Sequence, residues 1–286
     1  MNAVRKPVVG LALGSGSARS WAHIGVLRAL EQAAIPPDLI CGSSIGALVG
    51  AAYAVGELDR FEPWVLGLGL KEVVSFMDFF RRNFVDRPVD ALDLPFAAVA
   101  TALHSGVEVR LRSGSTADAV RASIALPRLF TPVQRDGRLL VDGGLVNPVP
   151  VSLARAMGAD IVIAVDLNAD ILGRHLRQEA PAQDEGAAHS DWMRRLQENF
   201  ASLLPESAAG KPRLPSMLDV VTSSINVMQV RITRSRMAGE PPEAVVAPRL
   251  AHLGLLDFHR ARETIDAGQR AAEASLPFLR ELGLGT

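Results

Sequence analysis

The sequence predicts an α/β fold, a three-layer α/β/α arrangement around a mainly parallel central sheet, and three observations carry that expectation. Apolar runs without alternation, Val8–Leu13 and Ile161–Val165, read as strands buried on both faces. Helical stretches fall between the strand candidates. The alternation persists from residue 8 past the middle of the chain, as parallel crossovers require. No internal repeat is evident.

Taken in order, Val8–Leu13 is followed by glycine and serine and then by a helix with Trp21, Ile24, Leu27 and Leu30 on one side, stopped by Pro36-Pro37. Asp38–Cys41 is the second strand, and Ile45–Val55 an uncharged, Ala-rich helix. Phe96–Leu103 and Val107–Leu111 form a hairpin across His104-Ser105-Gly106. Ser115 and Asp118 make a capping box for a helix that ends before Pro127. Leu139–Val141 is a short strand, and a helix closed by Gly158 leads into Ile161–Val165. From about Asp170 to Ser216 the composition turns to Ala, Glu, Gln and Pro, an excursion from the core. Within it Trp192, Leu196, Phe200 and Leu203 share a stripe beside Arg194 and Arg195, which suits packing on the parent domain, a membrane-touching helix or a lid helix. Leu218–Met237 is a helix whose Arg231, Arg234 and Arg236 make either a solvated face or a lipid-headgroup patch. Ala244–Val246 is the last strand, and Asp257 caps a closing helix. One domain over 8–286 is expected, with its core motifs in 8–166.

Composition excludes several classes. At 286 residues and 48% hydrophobic content the chain can bury a large core. Thirty basic against 31 acidic residues leave a net charge of -1, so no field recruits nucleic acid. The lone Cys41 excludes an internal disulfide framework and a CxxC metal site, and Met1–Lys6 is too short for a signal peptide. These facts favour the cytoplasm, with peripheral contact at the inner membrane surface left open. The helix Ile45–Val55 is well short of the roughly 20 residues that cross a bilayer. Neither metal nor organic cofactor is expected.

The chemistry centres on Gly42-Ser43-Ser44-Ile45-Gly46, a G-x-S-x-G pattern between a strand and a helix. Such an elbow exposes Ser44 at the top of a sheet, and side chains at 42 or 46 would crowd the neighbouring backbone. The first strand leads into Gly14-Ser15-Gly16-Ser17-Ala18-Arg19-Ser20, whose free amides at a helix start favour an anion. A dinucleotide reading fails because Arg19 stands at the third glycine and no acid follows the second strand; a P-loop fails for want of Gly-Lys-Ser/Thr. An oxyanion site for the neighbouring serine remains. The hydroxyl needs a base. Asp142, at a strand end before Gly143-Gly144, is one candidate; His252 or His259 in a Ser-Asp-His order is the other. His23, inside the first helix, reads as a packing or hydrogen-bonding residue. Trp64, Leu66, Leu68, Phe76, Phe79 and Phe80 suit an acyl pocket or lid, and equally core packing.

Together, Leu13–Arg19, Ala22–Leu27, Gly42–Ala47 and Val141–Gly144, with Arg121–Pro127 and Asn147–Pro150, resemble the motifs of the patatin-like phospholipase family in its bacterial single-domain form. The likeness covers Val8–Asp166 strongly and the remainder loosely. It implies a patatin-like fold and a serine lipid acyl hydrolase that acts on lipids or other acyl esters. Ser44 would be the nucleophile and Asp142 the base that takes its proton directly, with no histidine. The resemblance also assigns the oxyanion hole to the amides of Gly16, Ser17 and Ala18, with Arg19 supporting the loop or the developing charge. Gly42, Gly46, Gly143 and Gly144 shape the elbow and the aspartate turn. The family loop is G-G-G-x-[KR]-G, whereas this chain has Ser15, Ser17 and Ser20 at glycine positions, which strains the loop if Ser17 takes positive φ. A regulatory protein with weak catalysis, or an acyltransferase, are the alternatives on the same fold.

Overall fold

The structure is a computed structural model that describes residues 5–68, 86–126, 130–171 and 217–285. In chain order its first half forms β1 (Val9–Leu13), α1 (Ala22–Gln32), β2 (Leu39–Ser43), α2 (Ile45–Ala54), α3 (Leu58–Leu66), β3 (Phe96–Ala102) and β4 (Glu108–Leu111). There follow α4 (Thr116–Ser123), β5 (Val133–Arg135), β6 (Arg138–Asp142), α5 (Val151–Ala156), β7 (Ile161–Val165), α6 (Met217–Gly239), β8 (Ala244–Val246) and α7 (Ala261–Glu281).

Among the described residues all eight strands join one sheet, and β3, β2, β1, β7 and β8 run parallel in that order. The chain leaves β1 toward β2 on one side and later fills the other side with β7. That reversal makes the carboxyl end of β1 a topological switch point, where the loops on either side diverge and leave a crevice. The 3-10 turn Ser17–Trp21 follows shortly after that strand end.

Alternation along the strands divides the apolar residues between two cores, as the period of two requires. Leu11, Leu13, Ile40, Ile163 and Val165 face the core covered by α1, α2 and α7; Ala12, Cys41, Val99, Val162 and Ala164 face the one covered by α5. Helices thus lie on both faces of the sheet. α1 and α7 approach closely enough that a Cβ on Gly25 would sit 2.0 Å from the Ile265 carbonyl oxygen. Ahead of α1, Trp21 is fully buried and meets Phe61 and Phe258 edge-on at 6.0 and 5.9 Å, which ties the switch-point turn to α3 and to the segment before α7.

The antiparallel part of the sheet matters most for the site. Val99 of β3 pairs with Arg110 and Ser43, and the next residue, Ala100, pairs with Val109 and Asp142. β4 therefore holds one edge of β3, while β2 and β6 share the other edge end to end. Their carboxyl termini, Ser43 and Asp142, arrive at adjacent β3 positions from opposite directions.

Most expected elements form within a residue or two of their expected bounds. β5, three residues without an apolar run, carries no sequence signal. Ser115 caps α4 as expected, its Oγ accepting the Asp118 N–H at 3.0 Å. Asp257 does not cap the last helix: its carboxylate accepts the Gly254 N–H at 2.8 Å, a 3-10 turn Phe258–Arg260 follows, and α7 starts without a side-chain cap. Trp64 packs on Phe61 and Leu68 is buried, whereas Phe76, Phe79 and Phe80 lie outside the described residues, as does the stripe of Trp192, Leu196, Phe200 and Leu203 with Arg194 and Arg195. No helix among the described residues is long and apolar enough to cross a membrane.

Candidate active site

Ser44 is the single residue between β2 and α2, with φ 57° and ψ -133°. Few L-residues tolerate that region, and one held there signals a constraint imposed by its surroundings. The constraints are visible. A Cβ at position 42 would lie 2.5 Å from the Ala47 backbone nitrogen, and one at 46 would lie 2.5 Å from the Gly14 oxygen and 2.6 Å from the Leu13 oxygen. Both elbow positions therefore require glycine, and α2 begins directly against the loop that follows β1. The Ser44 N–H donates to Ser123 Oγ at 2.9 Å.

Asp142 ends β6 and is fixed through four groups. Its N–H donates to Ala125 O at 3.0 Å, and its carbonyl accepts from Thr101 Oγ1 at 2.7 Å. Its carboxylate accepts the Gly144 N–H on Oδ1 at 2.7 Å and the Ser44 hydroxyl on Oδ2 at 2.6 Å. The end-to-end meeting of β2 and β6 thus becomes a contact between the two side chains at their tips. Ser123 and Ala125 hold one backbone amide each, so the carboxyl end of α4 and the residues just after it brace both members of the pair. Gly143 fits because a Cβ there would meet Val99 O at 2.2 Å, and Gly144 because one would meet Gln229 Nε2 and Ser15 Oγ.

Asp142 is 2% exposed. Burial pushes its carboxyl up to about 6, against the opposing pull of the Ser44 hydroxyl and the Gly144 amide. A carboxylate of that basicity is ionised at neutral pH and accepts a proton more readily than an ordinary aspartate.

The loop after β1 is pinned at most of its backbone groups. The amides of Gly14 and Ser15 donate to Val165 O and Pro148 O, and the Gly14 carbonyl is 2.7 Å from His23 Nε2. His23 is fully buried, and desolvation lowers its pKa to about 4, so it is neutral and serves the loop as a hydrogen-bonding residue. Arg19 N–H and Nε both reach Gly16 O at 3.2 Å, and its NH2 donates to Asn226 Oδ1. Ala18 departs from expectation: its N–H already donates to Leu255 O at 3.1 Å. Among the described residues no acceptor meets the N–H of Gly16 or Ser17.

The alternative bases lie elsewhere. His252 Nε2 is paired with Glu263 Oε1 at 2.7 Å, and His259 is exposed on the turn before α7. Cys41 is buried, donates to Pro150 O at 3.3 Å, and has its thiol pKa pushed far up by desolvation, which leaves it an inert core residue. Among the described residues no group of three His, Cys, Asp or Glu side chains could hold a metal ion.

The family model "Patatin-like phospholipase" matches residues 11–88 and 58–155, a span that contains the loop, the elbow and the aspartate turn. The chain belongs to the patatin-like phospholipase family. An uncharacterized NTE family protein of Mycobacterium tuberculosis is 32% identical, over 94% of this chain and 91% of its own length. Patatin-like phospholipase domain-containing protein 6 of Mus musculus is 36% identical over 93% of this chain, which spans 20% of that much longer protein. The crystal structure of VipD from Legionella pneumophila aligns with 93% of this chain and 66% of its own at 14% identity and a TM-score of 0.43, too loose a likeness to bear on the fold.

The three serines that stand where the family resemblance implies glycines are unequal in backbone conformation. Ser17 takes φ +52°, the left-handed conformation that glycine adopts without strain. Ser15 and Ser20 are not among the positive-φ residues, so their side chains cost no backbone strain. Ser123, Thr101 and Gln229 escape any reading of the linear motifs, although Ser123 falls in a stretch that matches the family.

Proposed function

We propose that this chain is a serine acyl-ester hydrolase of the phospholipase A or esterase type, in keeping with its membership of a lipid-hydrolase family. The observation that carries the reading is the 2.6 Å contact from the buried Ser44 hydroxyl to Asp142 Oδ2. In this scheme Ser44 Oγ attacks the acyl carbonyl carbon while Asp142 Oδ2 takes the hydroxyl proton. The tetrahedral oxyanion is met by the amides of Gly16 and Ser17, the two in the loop that are left without an acceptor among the described residues, each worth about 3 kcal/mol in such a role. Arg19 holds the Gly16 carbonyl and so fixes the peptide that presents the Ser17 N–H. Collapse breaks the ester C–O bond, and the departing alcohol takes the proton from Asp142. Water then attacks acyl-Ser44 and gives a proton to Asp142; collapse of this second intermediate breaks the acyl–Oγ bond, Ser44 Oγ takes that proton back, and the acid leaves.

The strain at Ser17 favours one second reading, a regulatory protein on the same fold with low turnover. Kinetics on a short-chain p-nitrophenyl ester separate the readings. Ser44→Ala and Asp142→Asn should each lower kcat/KM by about 10³-fold or more, while His252→Ala and His259→Ala leave it unchanged. Wild-type rates in Ser44→Ala, or an equal loss in a histidine variant, would overturn the dyad.

A further inference from the structure

The long helix α6 has two faces of different chemistry. On its inner side Asn226 accepts from Arg19, Gln229 accepts from Asn168 Nδ2 at 3.3 Å and lies over Gly144, and Val230 and Thr233 are buried. The helix therefore rests on both the loop after β1 and the aspartate turn. At 100° per residue, Val220, Ser224, Val227, Arg231 and Arg234 line up on the opposite side, with Val221, Met228 and Ser235 beside them.

That outer side is open. Val220, Val221, Val227 and Met228 are 44, 46, 44 and 51% exposed. From Val220 to Gly239 the sequence holds three arginines and no acidic residue. Arg236 is turned to Glu108 and the Val146 carbonyl. Arg231 and Arg234 are exposed, and among the described residues neither forms an ion pair, although the Arg234 charge reaches the buried Asp166 carboxylate. A helix that faced only water would carry mixed charge here, not bare valine and methionine ahead of exposed arginines with no acidic residue on the same stretch.

We propose that this face of α6 docks on an anionic phospholipid bilayer. Val220, Val227 and Met228 enter the boundary between headgroups and acyl chains, and Arg231 and Arg234 meet lipid phosphates. The inference deepens the lipid-hydrolase reading, since the docked helix is the one whose inner side holds the Arg19 loop. Docking itself requires no catalysis.

The test uses the full chain as Ser44→Ala, which cannot consume the lipid, sedimented with phosphatidylcholine vesicles with and without phosphatidylglycerol. Binding is expected to the anionic vesicles only and to weaken with salt. Val227→Asp/Met228→Asp and Arg231→Glu/Arg234→Glu should each lower partitioning by about tenfold or more, while with Ser44 intact they hydrolyse a soluble short-chain ester as the parent does, which also reports their folding. Absence of binding to anionic vesicles, or variants that bind like the parent, would overturn the proposal. So would a dimer in sedimentation velocity that these variants abolish without any vesicle binding, which would give the face to a second copy. Failure of the catalytic reading shows separately, as ester turnover retained by Ser44→Ala.

Discussion

At the scale of single residues, Asp142 would on the proposed mechanism link activity to stability. Its folded pKa of about 6 lies above its ordinary value of 3.8, so between those values the folded chain holds a proton that the unfolded chain has released. The stabilising contribution of that proton is present below about pH 3.8 and is lost as pH rises through about 6. At neutral pH the buried carboxylate is a net liability to folding. Asp142→Asn should accordingly be more stable than the parent at pH 8 and lose that advantage at pH 4, as measured by denaturant unfolding at both values; a variant less stable at pH 8 would contradict the account. Sites tuned for chemistry often sacrifice stability in this way. Ser44 is legible in the sequence because it sits in a short local pattern at a strand end, whereas Asp142 is there only one of two candidate bases until the family resemblance favours it. Thr101, Ser123 and Gln229 are not legible, because what they touch depends on the register of strands and helices far away in the chain. Ala18 shows the same limit from the other side: nothing local reveals that Leu255 takes its amide.

At the scale of elements, the site exists because β2 and β6 end against adjacent residues of β3. That the sheet is mainly parallel follows from the apolar runs and the helices between them, whereas the strand order and the shared edge of β3 do not, since they depend on a register set by distant strands. The failed cap at Asp257 has a local cause, a 3-10 turn inserted before α7 that draws its carboxylate to Gly254. The closest helix seam offers a clean test. Gly25→Ala puts a methyl 2.0 Å from the Ile265 carbonyl oxygen of α7, an overpacked contact that should cost about 1–3 kcal/mol. Thermal melting should report the loss, whereas a melting temperature equal to the parent's would mean that the seam relaxes freely.

At the scale of the whole molecule, the crevice at the switch point of the sheet gathers a pinned loop, a strained elbow and a strand-end carboxylate from three separate stretches of chain. α6 covers that gathering with its polar side and offers an apolar, basic side outward. The near-neutral net charge concealed this asymmetry, which lies in one helix and not in the composition. Whether Ser44 is a nucleophile whose base is Asp142 can be read in one experiment, stoichiometric labelling by a fluorophosphonate with peptide mapping across pH. The account predicts one label per chain on Ser44, with a rate that rises with pH through about 6 as Asp142 ionises and that nearly vanishes in Asp142→Asn. A label on another residue, or full labelling of Asp142→Asn at the parent's rate, would contradict it.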